Sequence, residues 1–381
     1  NIIPTFHYLA NITPSGSGSS ANFSNYSTYM SDDFFVLMDD NEGSMQNNFQ
    51  QGLDIAVGRI LFSTPAQAKQ MVDKIHKYYD KSSYGRWRNN IILLGDDIDA
   101  PSDLFLQSDL DAIAQNIENN RPFINIKKIY MDAYTQTVSA GGNRYVDAKS
   151  DFINSFDAGS LVVNYYGHGG ERLLASERIF ELSDVGKLQN NHKLPVFITI
   201  TCEVSRFDNP YLLSLGESVF LNPEAGAIAL LTTTREIGIS NGRDINARLS
   251  DYIFNNTNTD IAIGEALRLT KNHFASLDRN VVFCIGDPGL KITFPKPKIV
   301  LNKINDQEIN GSEDVLQALD YVTMEGEIRN EDETLLQDFN GDLAVQIFDK
   351  FINRSTLGND NIINPNTNQV QIMDFVTLGE T

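Results

Sequence analysis

The chain has 381 residues, with 50 acidic against 30 basic side chains and a formal net charge of −20 at pH 7. A 41% hydrophobic and 21% charged composition is that of a folded protein, and at roughly 150 residues per domain it leaves room for two or three domains. So acidic a chain has little diffuse attraction for phosphate backbones, which sets nucleic acid aside as a partner; no run of ~18 apolar residues reads as a membrane helix.

The first residue is Asn1, without a charged and apolar leader, so the chain reads as a soluble, processed or excised piece. From Thr13 to Thr28 the sequence is rich in Ser, Gly and Asn and lacks large aliphatic residues, as expected of a mobile surface loop. Short runs rich in Val, Ile and aromatics then recur as strand candidates: Phe34 to Met38, Ile91 to Leu94, Ile124 to Tyr130, Leu161 to Tyr166, Val196 to Thr201 and Ala227 to Thr232. Segments with helical spacing lie between most of them: Ala66 to Tyr79, Asp103 to Asn119, Tyr145 to Phe156, Tyr211 to Phe220, Asp244 to Phe254 and Asp260 to Ala275. In the first of these, Ala68, Met71, Val72 and Ile75 share a face, with Lys69, Lys74 and Lys77 turned elsewhere. The alternation predicts βαβ units, an α/β fold with a doubly wound, mostly parallel sheet.

Phe294-Pro295-Lys296-Pro297 closes this run and reads as a domain junction, giving an expected division into 1–295 and 296–381. Beyond it, Val322 to Ile328, the turn Asn340-Gly341 and Leu343 to Phe348 read as strand, turn, strand, the signal of a small β-sandwich. A sandwich of ~100 residues would be barely complete at Thr381, so the natural chain is expected to continue.

Two predicted strands end in reactive residues. Leu161 to Tyr166 runs into Gly167-His168-Gly169-Gly170, and Val196 to Thr201 runs into Cys202. In open parallel sheets the functional crevice lies at the carboxyl ends of strands, so both residues are expected on one rim. A neighbouring imidazole turns a thiol into a thiolate nucleophile, and the N–H groups of Gly169 and Cys202 can cradle a tetrahedral oxyanion. A single histidine or cysteine at a strand end is more often structural; it is the pair on successive strands that points to catalysis. The second cysteine, Cys284, sits between Phe283 and Ile285 and is expected to be a buried structural thiol, while one disulfide with Cys202 stays open on spacing alone. His192 and His273, in polar surroundings, read as surface residues.

Tyr166-Gly167-His168-Gly169, Thr201-Cys202-Glu203-Val204-Ser205-Arg206-Phe207-Asp208, Glu217-Ser218-Val219-Phe220-Leu221 and Gly226-Ala227-Ile228-Ala229 together closely resemble the gingipain family of cysteine peptidases, family C25, whose fold is caspase-like. Tyr29 to Phe35, Val57-Gly58-Arg59-Ile60, Lys74 to Tyr79, Trp87-Arg88-Asn89 and Gly286-Asp287-Pro288 match landmarks of that family in order, so the resemblance spans about residues 30 to 294. It implies Cys202 as nucleophile, His168 as general base and acid, Gly169 as oxyanion donor and, near the start of a helix, Asp109 as the acidic third member, with Asp111 close by. No cofactor is required by this chemistry. Gingipain-like domains bind calcium, and the acidic loops Asp39-Asp40-Asn41-Glu42 and Asp96-Asp97-Ile98-Asp99 are the candidate ligands, although neither has EF-hand spacing.

Within the family, Val322 to Ile328 and Phe339 to Lys350 look like the β-domain following the catalytic domain in the sortases of the Bacteroidetes type IX secretion system. That resemblance implies a cell-surface, outer-membrane-associated enzyme. It would remove C-terminal sorting domains from secreted cargo through a Cys202 thioester and pass the new carboxyl end to an amine of anionic lipopolysaccharide. Outer-membrane attachment-complex proteins such as PorV would be its partners. The other expectations are a secreted protease that hydrolyses its acyl-enzyme, and a non-catalytic scaffold holding a relic site.

Overall fold

Five of the six expected strands form, and the apolar run around Cys284 supplies one more. In a computed structural model the sheet consists of β1 (Asn90–Gly95), β2 (Asn125–Tyr130), β3 (Val162–Tyr166), β4 (Val196–Thr199), β5 (Ala229–Thr233) and β6 (Val282–Ile285), in the order β6-β5-β4-β3-β1-β2. Strands β1 to β5 pair in parallel, and β6 runs antiparallel to β5. The structure describes residues 4–9, 28–45, 51–254, 261–296, 298–309, 316–317, 319–330, 332–341, 343 and 345–379. The expected loop at 13–27, Pro297 of the junction and Asp342 fall outside them.

Among the described residues, six α-helices of seven residues or more cover the sheet: α1 (Pro65–Tyr79), α2 (Leu106–Asn120), α3 (Val146–Ala158), α4 (Leu215–Leu221), α5 (Ile239–Phe254) and α6 (Ile263–Lys271). On one face Ile92, Leu94, Val163, Tyr165, Phe197 and Leu230 join Met71 of α1, Phe152 and Phe156 of α3, and Val219 and Phe220 of α4 in one buried cluster. Helices α2, α5 and α6 pack together on the opposite face. There the Asn164 amide of β3, buried among apolar neighbours, donates to Asn246 Oδ1 at 2.9 Å and Ser250 Oγ at 3.3 Å on α5. Burial on both faces explains why the strands are apolar throughout and pair in parallel. Strand order reverses between β1 and β3, which makes their carboxyl ends the switch point of the sheet.

Helix α1 starts where its sequence directs: Thr64 Oγ1 accepts the Gln67 N–H at 3.2 Å, and Pro65 occupies the first turn, where its missing N–H costs nothing. Its buried face differs from the expected one. Met71, Lys74 and Tyr78 are buried and Val72 is exposed. The Lys74 ammonium donates to the carbonyls of Phe220, Asn222 and Ala225 at 2.9, 2.7 and 3.1 Å, so a residue expected on the surface caps the end of α4.

The expected strand at Phe34 to Met38 is also absent, because Asp33–Val36 forms a short 3-10 turn. What fixes this turn is Asp33, whose carboxylate meets the Lys271 ammonium of α6 at 2.6 Å; Lys271 also donates to the Val282 carbonyl at 2.7 Å. Both side chains are 3% exposed. Removing one partner leaves the other charge buried, so Lys271→Met should cost about 3–5 kcal/mol in urea unfolding, and Asp33→Leu combined with Lys271→Met distinctly less. Equal losses in the single and double variants would contradict this account.

The chain divides at Thr293/Phe294, beside the proline-rich junction, but not into 1–295 and 296–381. One unit comprises 1–293 with 348–381, and the other 294–347. The second unit carries β7 (Lys298–Ile304), β8 (Gln307–Glu308) and β9 (Met324–Arg329), paired antiparallel with β7 central. The expected strand at Leu343 to Phe348 is absent among its described residues. In the first unit, residues 348–379 return as the pair β10 (Ile352–Ser355) and β11 (Asp374–Thr377). The reason for the return is apolar: Phe375 is buried, its ring edge-on to Tyr130 of β2 with centroids 4.8 Å apart. The Leu357 N–H adds a bond to the Asp132 carbonyl at 2.7 Å.

Candidate active site

Each candidate side chain leaves the sheet at a strand's carboxyl end. Gly95 of β1 pairs with Tyr166 of β3, so the chain after each enters the same crevice, and Cys202 follows β4 alongside. Glycine is required at 167: a Cβ there would come within 2.1 Å of Asp96 Cβ. That closeness lets Asp96 Oδ2 accept the His168 N–H at 2.6 Å. The His168 carbonyl accepts the Tyr165 hydroxyl at 2.5 Å and the Ala175 N–H at 3.0 Å, so its backbone is held on both sides.

The imidazole Nε2 lies 3.3 Å from Asp103 Oδ1. Asp103 is itself fixed: its Oδ2 accepts the Ala100 N–H at 2.8 Å, and Ser102 Oγ donates to its Oδ1 at 3.0 Å. The hydrogen bond that His168 donates to Asp103 raises the His168 pKa to about 9; burial opposes the shift, and the charges of Asp96, Asp103 and Asp99 reinforce it. Burial pushes Asp103 upward in turn, but the hydrogen bond and charge of His168, helped by Ser102 and the Ala100 N–H, outweigh it and hold the carboxyl below its ordinary value.

Cys202 is half-buried and unbridged; Cys284 is a buried free thiol, as expected. The Cys202 thiol donates to the Ile237 carbonyl at 4.0 Å. Burial raises its pKa, the Ile237 contact opposes this, and Glu236, Glu203 and Asp278 add to the rise. The resting thiol is therefore neutral at pH 7, and acylation requires a base to take its proton. His168 and Cys202 line one small cavity of about 30 Å³, walled by Leu106, Ile200, Ile237 and Ile239. Directly after the cysteine, Glu203 adopts a left-handed φ of 56°, held by its N–H to the Arg235 carbonyl at 3.3 Å, so the chain turns sharply and leaves Cys202 at the rim.

Gly169 lies opposite Leu174 in a short antiparallel pair. Because the Ala175 N–H bonds the His168 carbonyl, Gly169 and Leu174 form a non-hydrogen-bonded pair, and the Gly169 N–H points away from that ladder. A Cβ on Gly169 would meet Thr201 Cγ2 and Oγ1 at 2.8 Å, so the backbone approaches the segment that ends in Cys202 as only glycine allows.

The acidic member expected from sequence is corrected by this geometry. Asp109 on α2 pairs with Arg243 of α5 at 2.8 Å, and Asp111 with Lys128 at 2.9 Å; it is Asp103 that reaches His168. The helix begins at Leu106 rather than Asp103, which leaves Asp103 at the end of a short 3-10 turn, Pro101–Asp103, ahead of α2. The signal in the sequence was positional: Pro101-Ser102-Asp103 follows a strand whose neighbour carries the histidine. His273 is exposed as expected, its Nε2 2.8 Å from the Tyr252 hydroxyl, whereas His192 is half-buried.

A doubly wound sheet with a Cys, a His and a carboxylate past the carboxyl ends of adjacent strands is the arrangement of a cysteine peptidase of caspase-like architecture. The chain belongs to peptidase family C25, whose model matches residues 1–293. The structure is similar to gingipain R (RgpB), the Arg-specific cysteine proteinase, with a TM-score of 0.56 and 16% identity over 71% of this chain and 62% of that one. It is equally similar to the complex of the pro- and mature domains of Porphyromonas gingivalis RgpB, at TM-score 0.56 and 16% identity over 77% of this chain and 65% of that one. Dimeric latent PorU from Porphyromonas gingivalis matches with a TM-score of 0.33 and 17% identity over 98% of this chain and 30% of its own. The chain thus spans less than two thirds of the length of each of these proteins. No curated protein matches it by sequence.

Proposed function

We propose that this chain is the catalytic part of a cell-surface sortase of the PorU type, a cysteine endopeptidase and transpeptidase acting on secreted cargo. The observation that supports cysteine chemistry is the cavity shared by Cys202 and His168, with Asp103 bonded to the imidazole. In the first step Cys202 Sγ attacks the carbonyl carbon at the cargo–sorting-domain junction while His168, in the fraction that is neutral below its pKa of about 9, takes the thiol proton. The peptide C–N bond breaks, and the same proton passes to the leaving amine. The cargo then remains as a thioester. In the second step the amine of anionic lipopolysaccharide attacks the thioester carbonyl, the C–S bond breaks, and the thiol regains a proton. The support for transfer rather than hydrolysis is the resemblance of Val322 to Ile328 and Phe339 to Lys350 to the β-domain of such sortases. Cell-surface placement and contact with outer-membrane proteins such as PorV follow from that same reading. Among the described residues, no helix is long and apolar enough to cross a membrane.

Intact-mass analysis tests both steps. Incubation with a C-terminal sorting domain fused to a short cargo tail should give a cargo adduct on Cys202, and a soluble amine should convert it to amine-capped cargo. Hydrolysed cargo alone, with the amine present in excess, would leave an ordinary protease; neither adduct nor cleavage would remove the catalytic reading.

A further inference from the structure

The run of chain that carries His168 and the run that carries Cys202 follow neighbouring strands, and polar contacts close them together at both ends. At the strand side, Thr201 Oγ1 donates to the Gly167 carbonyl at 2.5 Å. Farther out the link is Glu171. Its Oε1 meets Arg206 Nη1 at 3.0 Å, its Oε2 accepts the Asn209 amide at 2.6 Å, and its carbonyl accepts the Leu215 N–H at 2.7 Å. Gly169 and Cys202, the expected oxyanion donors, therefore lie inside a ring of chain, Gly167 to Glu171 and Thr201 to Arg206, pinned at either end. Between the pins the two runs touch, since a Cβ on Gly169 would come within 3.2 Å of Val204 Cγ2 as well as meeting Thr201.

The outer pin has work that apolar packing does not do. Residues 202–214, from the nucleophile to α4, form no helix or strand, and Tyr211 and Leu213 are exposed. Polar ties hold such a loop in place. Asp208 fixes it on the far side, its Oδ1 and Oδ2 accepting Arg235 Nη1 and Nη2 at 3.0 and 2.5 Å, but that bond leads to the segment after β5. The tie to the histidine side is Glu171, whose side chain is 17% exposed and whose bonds are charge-assisted. Arg206 does not depend on Glu171 for neutralisation. Its Nη1 also reaches Glu203 Oε1 at 3.1 Å, and its Nε lies 3.8 Å from Asp208. Removing the Glu171 carboxylate thus loosens the ring without stranding a cation.

We propose that Glu171 is a positioning residue for the oxyanion site: by tying the histidine-bearing run to the loop after the nucleophile, it sets the spacing between the Gly169 and Cys202 N–H groups. This role rests on the cysteine-peptidase reading of Cys202 and His168 and is the same whether an amine or water accepts the acyl group. As the thiolate attacks, charge grows on the carbonyl oxygen, and donors already in place stabilise it without rearranging; a displacement of about 1 Å costs on the order of 10²-fold in rate.

The test compares two reactions of Cys202 in the parent, Glu171→Ala and Glu171→Gln, each checked for folding by circular dichroism. Cleavage of the cargo–sorting-domain fusion passes through an oxyanion, whereas alkylation by iodoacetamide displaces iodide and forms none. In Glu171→Ala we expect kcat to fall about 10- to 100-fold with KM and the alkylation rate within about threefold of the parent. Glu171→Gln keeps an acceptor for Asn209 and loses the charge facing Arg206, so its kcat should fall less. Adding Arg206→Met to Glu171→Ala should lower kcat little further, because both act through one contact. Unchanged kcat in Glu171→Ala, or alkylation that slows as much as cleavage, would overturn the proposal. Where the parent hydrolyses casein and leaves the fusion intact, the sortase reading fails and the same ratio, read on casein, decides the role of Glu171. A parent that cuts neither would remove the catalytic reading and this role with it.

Discussion

Cys202→Ala should lower kcat/KM for peptide cleavage on the order of 10⁴- to 10⁶-fold, with no loss of folding, while Cys284→Ala keeps activity within a few-fold. The contrast follows from where the thiols lie. Cys202 stands at the rim of the cavity it shares with His168, whereas Cys284 on β6 pairs with Leu231 and is 2% exposed. Burial pushes the Cys284 thiol up to about 12, so it supplies no thiolate at physiological pH. Cys284→Ala opens a small void in the sheet and should cost about 1 kcal/mol of stability. Peptide mapping after treatment with a thiol-reactive peptide electrophile checks the same point, since label should accumulate on Cys202 alone. Its rate should climb with pH, because burial holds the Cys202 thiol protonated above its ordinary range. Label on Cys284, or cleavage surviving in Cys202→Ala, would dismantle the nucleophile assignment.

The sheet was legible because its strands are apolar on both faces; Val162 to Tyr166 and Val196 to Thr199 fall inside the runs that mark them. The run at Phe34 to Met38 misled for a physical reason: a buried ion pair between Asp33 and Lys271, distant in sequence, outweighs local β-propensity. Lys74 failed for the same reason, since three carbonyls at the end of α4 accept its ammonium and no pattern within α1 reports them. The placing of Cys202 and His168 on one cavity could be read because each is the first reactive residue past a strand. The acid could not, because choosing between Asp103 and Asp109 depends on where α2 starts. Three residues of difference at that boundary move the carboxylate from the crevice to the helix. The domain ending was illegible because Phe375 packs back on Tyr130, a long-range apolar contact.

That difference between the two aspartates yields the second large effect. Asp103→Asn should lower kcat on the order of 10²- to 10⁴-fold, because an amide cannot stabilise the imidazolium that forms when His168 takes the Cys202 proton. Asp109→Asn should leave kcat within a few-fold and cost no more than about 1 kcal/mol, since its partner Arg243 is 45% exposed and solvent screens the pair. The pH response separates a positioning role from general damage. The hydrogen bond donated to Asp103 is the largest cause of the raised His168 pKa of about 9, and burial acts against it, so in Asp103→Asn the pKa falls. The sign for stability follows: the His168 contribution is complete below the ordinary imidazole pKa of about 6.5 and fades as pH rises through about 9. Asp103→Asn should remove most of that pH dependence. Proton NMR of the His168 ring in both variants measures the shift directly. An unchanged His168 pKa in Asp103→Asn, or a larger loss of kcat in Asp109→Asn, would return the catalytic acid to α2.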